Sequence, residues 1–143
     1  MGYRSDVRIV TSRKGYEELK KHIQDYYKEN DIPKDYQFDL LNNTNVMERN
    51  KYQVYLGWNN IKWYGYPDVS AIEDGLSKLK DNDMSYRFAR IGENYDDYEE
   101  YSHESLNEKE QDLDYPYMER YFNDDSIIDR MNSIKKREES RDR

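Results

Sequence analysis

Residues 92–129 hold fourteen carboxylates and two basic side chains, a net charge of −12 over 38 residues. Self-repulsion at that density works against a compact state built from this stretch alone. The framework of the fold must therefore come from elsewhere. Residues 1–91 are nearly balanced, with 15 basic and 14 acidic side chains, and residues 130–143 carry six and three. The overall charge of −8 is thus one concentrated anionic segment joined to an ordinary small domain. Such a segment can bind a metal ion, repel nucleic acid, or occupy a basic groove built for nucleic acid.

A chain of 143 residues reads as one domain. The expected division is a domain over 1–129, with an acidic, tyrosine-rich segment at 92–129, and a basic helical or frayed tail over 130–143. An apolar fraction of 35% against 38% charged would by itself indicate disorder. Sixteen tyrosines argue otherwise. Each buries a large ring while its hydroxyl stays wet, so a small aromatic core is expected. The absence of cysteine excludes disulfides, thiolate nucleophiles and cysteine-based zinc sites. No apolar run approaches the roughly 20 residues of a spanning helix. MGYRSDVRIV lacks an apolar leader. The expected setting is cytoplasmic.

Val7, Ile9 and Thr11 alternate with Asp6, Arg8 and Val10, which predicts an opening strand. Ser12 then precedes a helix to about Asn30, with Tyr16, Leu19, Ile23, Tyr26 and Tyr27 at helical spacing. Residues 31–50 are polar, with a loop at 42–45 and a packed turn of Phe38, Leu40 and Leu41. YQVYLGW and IKWYGY flank Asn59-Asn60, which predicts a hairpin there, with Val54, Leu56 and Trp58 on one face. Pro67 and Asp68 begin a second helix, capped by Asp68 or Ser70, with Val69, Ile72, Leu76 and Leu79 as its apolar stripe. Tyr86, Phe88 and Ile91 predict a strand, and residues 95–101 its return. YPYMERYF at 115–122 reads as a last strand or an aromatic anchor. Ile127, Ile128, Met131 and Ile134 predict a final helix, acidic at its start and basic near its end. The expected class is α+β: an antiparallel sheet of four or five strands, two helices packed on one face, and a C-terminal helix.

At MGYRSDV, GWNNIKWY and FARIGEN the chain resembles a set of small phage and prophage proteins. These open with MGYRS[DE]V, carry a KWY strand and reach an RIGE strand followed by acidic residues. The resemblance covers roughly residues 1–100. It implies a phage context, in which small acidic proteins are often inhibitors of bacterial defence, anti-CRISPR proteins among them.

Glu93, Asp96, Asp97, Glu99 and Glu100 are the first candidates for chemistry. On a strand, Asp97 and Glu99 share one face, and Asp96 and Glu100 share the other with Tyr98. Carboxylates about 7 Å apart on one face suit a shared divalent cation or an imitation of phosphates. The plainer alternative is an edge strand protected by charge. Asp112, Asp114, Glu119, Asp124, Asp125 and Asp129 extend the run, interleaved with Tyr115, Tyr117 and Tyr121. Carboxylates take arginine in two-pronged pairs and rings stack on guanidinium, so this mixture suits a basic groove. Trp58, Trp63, Tyr64 and Tyr66 read as sheet core or as a stacking platform for bases. Arg87 and Arg90 fall on opposite strand faces. The basic set Arg4, Arg8, Arg13, Lys14, Lys20 and Lys21 suits contact with nucleic acid, internal counter-charge or a self-association surface for the acidic segment, and its balance with nearby acids argues against strong DNA binding. His22 and His103 have no nucleophile motif beside them, and no phosphate-cradling loop is present.

The expected function is therefore a non-enzymatic, phage-encoded inhibitor acting in the cytoplasm of an infected bacterium. It would occlude the basic nucleic-acid-binding groove of a host defence protein, foremost a CRISPR effector nuclease. The expected contacts are Glu93, Asp96, Asp97, Tyr98, Glu99, Glu100, Asp112, Asp114, Tyr115, Tyr117, Asp124 and Asp125. No metal, cofactor, direct nucleic acid or membrane is implied, and the chain is a monomer or homodimer. The alternatives are a protein sequestering a nucleotide signal in an aromatic pocket around Trp63 and Tyr64, and a metal-dependent hydrolase.

Overall fold

The computed structural model describes residues 2–107, 113–118 and 122–141, with side chains in the last stretch described to 135. The elements run β1 (Ser5–Ser12), α1 (Arg13–Glu29), β2 (Val46–Arg49), β3 (Gln53–Ile61), α2 (Pro67–Asp81), β4 (Tyr86–Gly92), β5 (Tyr98–His103) and α3 (Asp124–Arg141). The five strands form one sheet in the order β2-β3-β1-β4-β5, antiparallel throughout. Within it, β1-α1-β2-β3-α2-β4 has the strand order of the split β-α-β, or ferredoxin-like, topology. β5 extends that sheet by one strand, and α3 follows it.

The period-2 alternation in β1 and β3 gives the sheet two different faces. Val7, Ile9, Val54, Leu56, Trp58 and Phe88 point toward α1 and α2 and form the main core with Leu19, Ile72 and Leu79. Val10 and Tyr55 point the opposite way, where Leu113, Ile127 and Met131 cover them. The chain thus packs helices on both faces, α3 alone on the second. The boundary expected at residue 129 falls inside α3, whose Met131 is fully buried. Ser12 caps α1, its hydroxyl accepting from the Gly15 amide at 3.0 Å. α2 differs: its cap position is Tyr66, which makes no side-chain cap, and the Asp68 carboxylate accepts from Val69 instead.

The hairpin expected at Asn59-Asn60 does not form. β3 continues through both residues to Ile61. Its tight turn lies at the other end, where the Asn50 side chain accepts from the Tyr52 and Gln53 amides at 2.9 and 3.0 Å. That turn joins β3 to β2, a strand absent from the sequence reading. Toward the far end, the Asp6 and Asn45 side chains take the Asn60 and Asn59 amides where the β1–β3 register shifts, and the pairing resumes at Ser5 and Ile61. Trp63 lies beyond β3 yet is buried, stacked on Trp58 at 5.4 Å. Of the expected turn, Leu40 and Leu41 are buried while Phe38 stays exposed. Among the described residues of 115–122 no strand forms, only an isolated bridge between Met118 and Phe122.

Candidate interaction surface

The acidic segment meets the domain first at Arg90. Arg90 lies on the helix-bearing face of β4, its side chain 10% exposed. It pairs in register with Glu99 of β5. Its guanidinium donates to Asp97 at 2.7 and 3.1 Å, to the Ser5 hydroxyl at 2.9 Å, and to Glu99. Tyr3 donates to the same Asp97 at 2.6 Å. The shared face expected for Asp97 and Glu99 is therefore real, but a guanidinium fills the space a cation would take. Burial alone would lower the Arg90 pKa; the hydrogen bonds it donates to Asp97 and Glu99 overcome this and raise it. The Asp97 carboxyl is held below its usual value by Arg90 and then Tyr3. Glu73, pushed up by burial and the Glu99 charge, completes the surroundings. Among the described residues no group of three or more His, Cys, Asp or Glu is arranged to hold a metal ion.

A second internal pairing fastens α3. Arg8 is fully enclosed on the second sheet face and meets Asp124 through two nitrogens at 3.0 Å each. It also donates to the Trp58 and Val7 carbonyls at 3.0 Å and lies 4.7 Å from the Phe122 ring centre. Tyr55 donates to Asp124 at 2.6 Å. Burial would raise the Asp124 pKa, yet Arg8 and Tyr55 hold it low. Gly57 pairs with Arg8 across the strands, and a Cβ there would run into the Arg8 side chain and the Val7 carbonyl. Asp114 is likewise enclosed, accepting from Gln53 at 2.7 Å and pairing with Arg130 at 2.6 Å.

These geometries sort the expected contacts. Asp97, Glu99, Asp114 and Asp124 are engaged within the fold. Glu93 accepts from the Arg4 amide at 2.7 Å. The Tyr115 ring sits 4.2 Å from the guanidinium carbon of the chain's own Arg87, and its other surface is exposed. Asp112 lies outside the described residues, as do Glu119 and Tyr121. Asp96, Glu100, Tyr117 and Asp125 are exposed. Tyr98 and Glu100 pair in register with Ile91 and Ala89, so they share the second sheet face, as expected. Asp96 precedes them in the turn into β5. Neither Asp96 nor Glu100 has an ion-pair partner among the described residues. Glu104, just past β5, adds an exposed carboxylate, whereas Tyr101 is on the helix-bearing face, stacked at 5.6 Å on Phe88. What remains available is a compact surface on the sheet's last strand.

The sequence reading missed Tyr3, Ser5, Asp83 and Tyr55. Asp83 accepts from His103 at 2.8 Å, from Ser105 at 3.1 Å and from Asn107 at 2.7 Å, tying the chain after β5 to the end of α2. The His103 hydrogen bond leads in holding its carboxyl below the usual value. His103 thus faces Asp83. Tyr3 and Asp97 lie 94 positions apart, so no local pattern reports their pairing. Of the four rings read as sheet core or as a stacking platform, Trp58 and Trp63 are stacked on each other inside the core, whereas Tyr64 and Tyr66 are exposed. Among the described residues no helix is long and apolar enough to cross a membrane. No family model, no curated protein and no solved structure matches this chain.

Proposed function

We propose that this chain is a non-catalytic binding protein of phage origin that inhibits a host defence protein. It places the surface of Asp96, Tyr98 and Glu100 on a basic face built to bind nucleic acid, with a CRISPR effector nuclease as the first candidate. The observation that carries this reading is the sorting of the carboxylates. Asp97, Glu99, Asp114 and Asp124 satisfy the chain's own donors, whereas Asp96 and Glu100 stay exposed on either side of a half-exposed tyrosine. Free carboxylates beside rings are what an arginine-rich groove accepts: paired N–H donors meet oxygen, and guanidinium planes meet tyrosine. The position on β5, at the end of the sheet order, lets a partner approach without displacing a neighbouring strand of that sheet. The mechanism is competitive occlusion, steered by the same field that attracts nucleic acid.

The double substitution Asp96→Lys and Glu100→Lys tests this. Both side chains are exposed, so the fold is retained. The expected result is loss of competition against labelled nucleic acid for the effector, by about tenfold or more in apparent affinity. Full competition by the double variant would refute the reading.

A further inference from the structure

The outer edge of β5 offers backbone groups as well as side chains. The Gly92 amide donates to the Asp97 carbonyl at 2.8 Å, and these two residues continue the register in which Ile91 pairs with Tyr98 and Arg90 with Glu99. In an antiparallel ladder, hydrogen-bonded pairs alternate with pairs that are not. Gly92 and Asp97 form a bonded pair, so Arg90–Glu99, Phe88–Tyr101 and Tyr86–His103 are bonded pairs too. The amides and carbonyls of Glu99, Tyr101 and His103 therefore serve β4. Those of Tyr98, Glu100 and Ser102 point the other way, off the end of the sheet. Among the described residues no backbone hydrogen bond reaches them. The side chains of the same three residues are exposed on the second sheet face.

Open edges are commonly blunted by short strands, lysine, proline or a bulge. β2, the other edge, has only four residues. β5 has six, without proline or lysine, and its register with β4 has no shift. Charge is its guard, and charge selects what can join it. A second copy would bring the same carboxylates against this edge, and nucleic acid would bring phosphates; both are repelled. The arginines of the neighbouring strand do not offset this. Arg87 is buried beneath the Tyr115 ring, and Arg90 is held by Asp97 and Glu99. His103 is held by Asp83. A basic strand is attracted instead, with an arginine or lysine opposite Glu100 and Tyr98 and Ser102 about 7 Å to either side. On the helix-bearing face Tyr101 presents a ring that is 54% exposed, suited to a β-branched or apolar neighbour.

We propose that the partner is held by strand addition: an extended protein segment, basic on one face and β-branched or apolar on the other, pairs with the backbone of Tyr98, Glu100 and Ser102. This rests on β5 being the contact surface and adds how the contact is made. Backbone hydrogen bonds supply affinity, and alternate side chains supply selection.

The probe is a short labelled peptide of alternating arginine and threonine, titrated by fluorescence anisotropy. Two twins of equal charge are run beside it, one with N-methylated arginines and one with N-methylated threonines. Only one of the two sets of N–H groups can face β5, so one twin is expected to bind about tenfold more weakly than the other. Amide exchange is expected to slow about tenfold at Tyr98, Glu100 and Ser102 when the peptide saturates the chain. Equal binding by the twins, unchanged exchange at those three amides, or no binding of the peptide at millimolar concentration overturns the proposal. Slow exchange there in the free chain also overturns it, because the edge is then already filled. The Asp96→Lys/Glu100→Lys variant separates this failure from that of the surface. Loss of the peptide by that variant, with equal binding of the twins to the parent chain, sinks strand addition alone. Undiminished binding of the peptide by the variant sinks the charged surface as well.

Discussion

Arg90 shows how the chain uses its own charges. The guanidinium is enclosed, yet the Asp97 and Glu99 side chains that hold it keep 29% and 38% of their surface wet. Removing it leaves the Ser5 hydroxyl without that donor and the two carboxylates without their charged partner, with only Tyr3 still donating to Asp97 and Tyr101 to Glu99. Breaking a fully buried pair costs about 3–5 kcal/mol; with solvent reaching the acids, Arg90→Ala is expected to cost about 2 kcal/mol, read from urea denaturation. The same cluster sets an acid limit. Asp83, Asp97 and Asp124 all have pKa values held below the usual carboxylate value in the folded state. The unfolded chain therefore binds protons first as pH falls. The stability these groups supply is complete above their unfolded value, about 3.9, and is lost as pH drops through their folded values. Glu73, whose pKa is raised, acts in the opposite sense. Urea midpoints are expected to stay level from about pH 7 to 5 and to fall below about pH 4. The fall is expected to be shallower in Arg90→Ala, where Asp97 has lost its main partner.

The C-terminal helix is held by packing as well as by Asp124. Met131 is fully buried against Val10 and Tyr55, so Met131→Ala is expected to cost about 2–4 kcal/mol, measured by the same denaturation. A cost below about 0.5 kcal/mol would mean that α3 is not seated on the sheet. The helix itself was legible, because Ile127, Met131 and Ile134 repeat at helical spacing. Its seat was not: the Arg8–Asp124 pair spans 116 positions. β1, α1, α2 and β4 were legible for the same reason of periodicity. β2 was not, since Val46, Met47, Glu48 and Arg49 are too few and too mixed to alternate clearly. Without β2, Asn59-Asn60 looked like the only available turn, and the true turn at Asn50 carries no glycine to announce it. In the candidate site, alternation correctly separated Tyr98 and Glu100 from Glu99. Which carboxylates stay free depended on Arg90 and Tyr3, and periodicity carries no information about such distant partners.

At the level of the whole molecule, the anionic segment has two parts with different fates. One part returns to the domain and neutralises Arg8, Arg90 and Arg130. The other, at β5, faces outward. Net charge alone therefore overstates the surface available for electrostatic contact, and the interaction belongs to a small group of side chains. A contact of this kind is expected to weaken steeply as salt screens it. The Asp96→Lys/Glu100→Lys variant is expected to keep the urea midpoint of the parent within about 0.5 kcal/mol, which separates lost binding from lost folding. The decisive measurement is capture of partners by the tagged chain from a lysate containing CRISPR effectors, eluted with stepped salt and identified by mass spectrometry, with this double variant in parallel. The account predicts a nucleic-acid-binding protein retained at low salt, released as salt rises, and absent from the double variant. Retention of the same protein by the double variant at the same salt, or no nucleic-acid-binding protein with either chain, would contradict it.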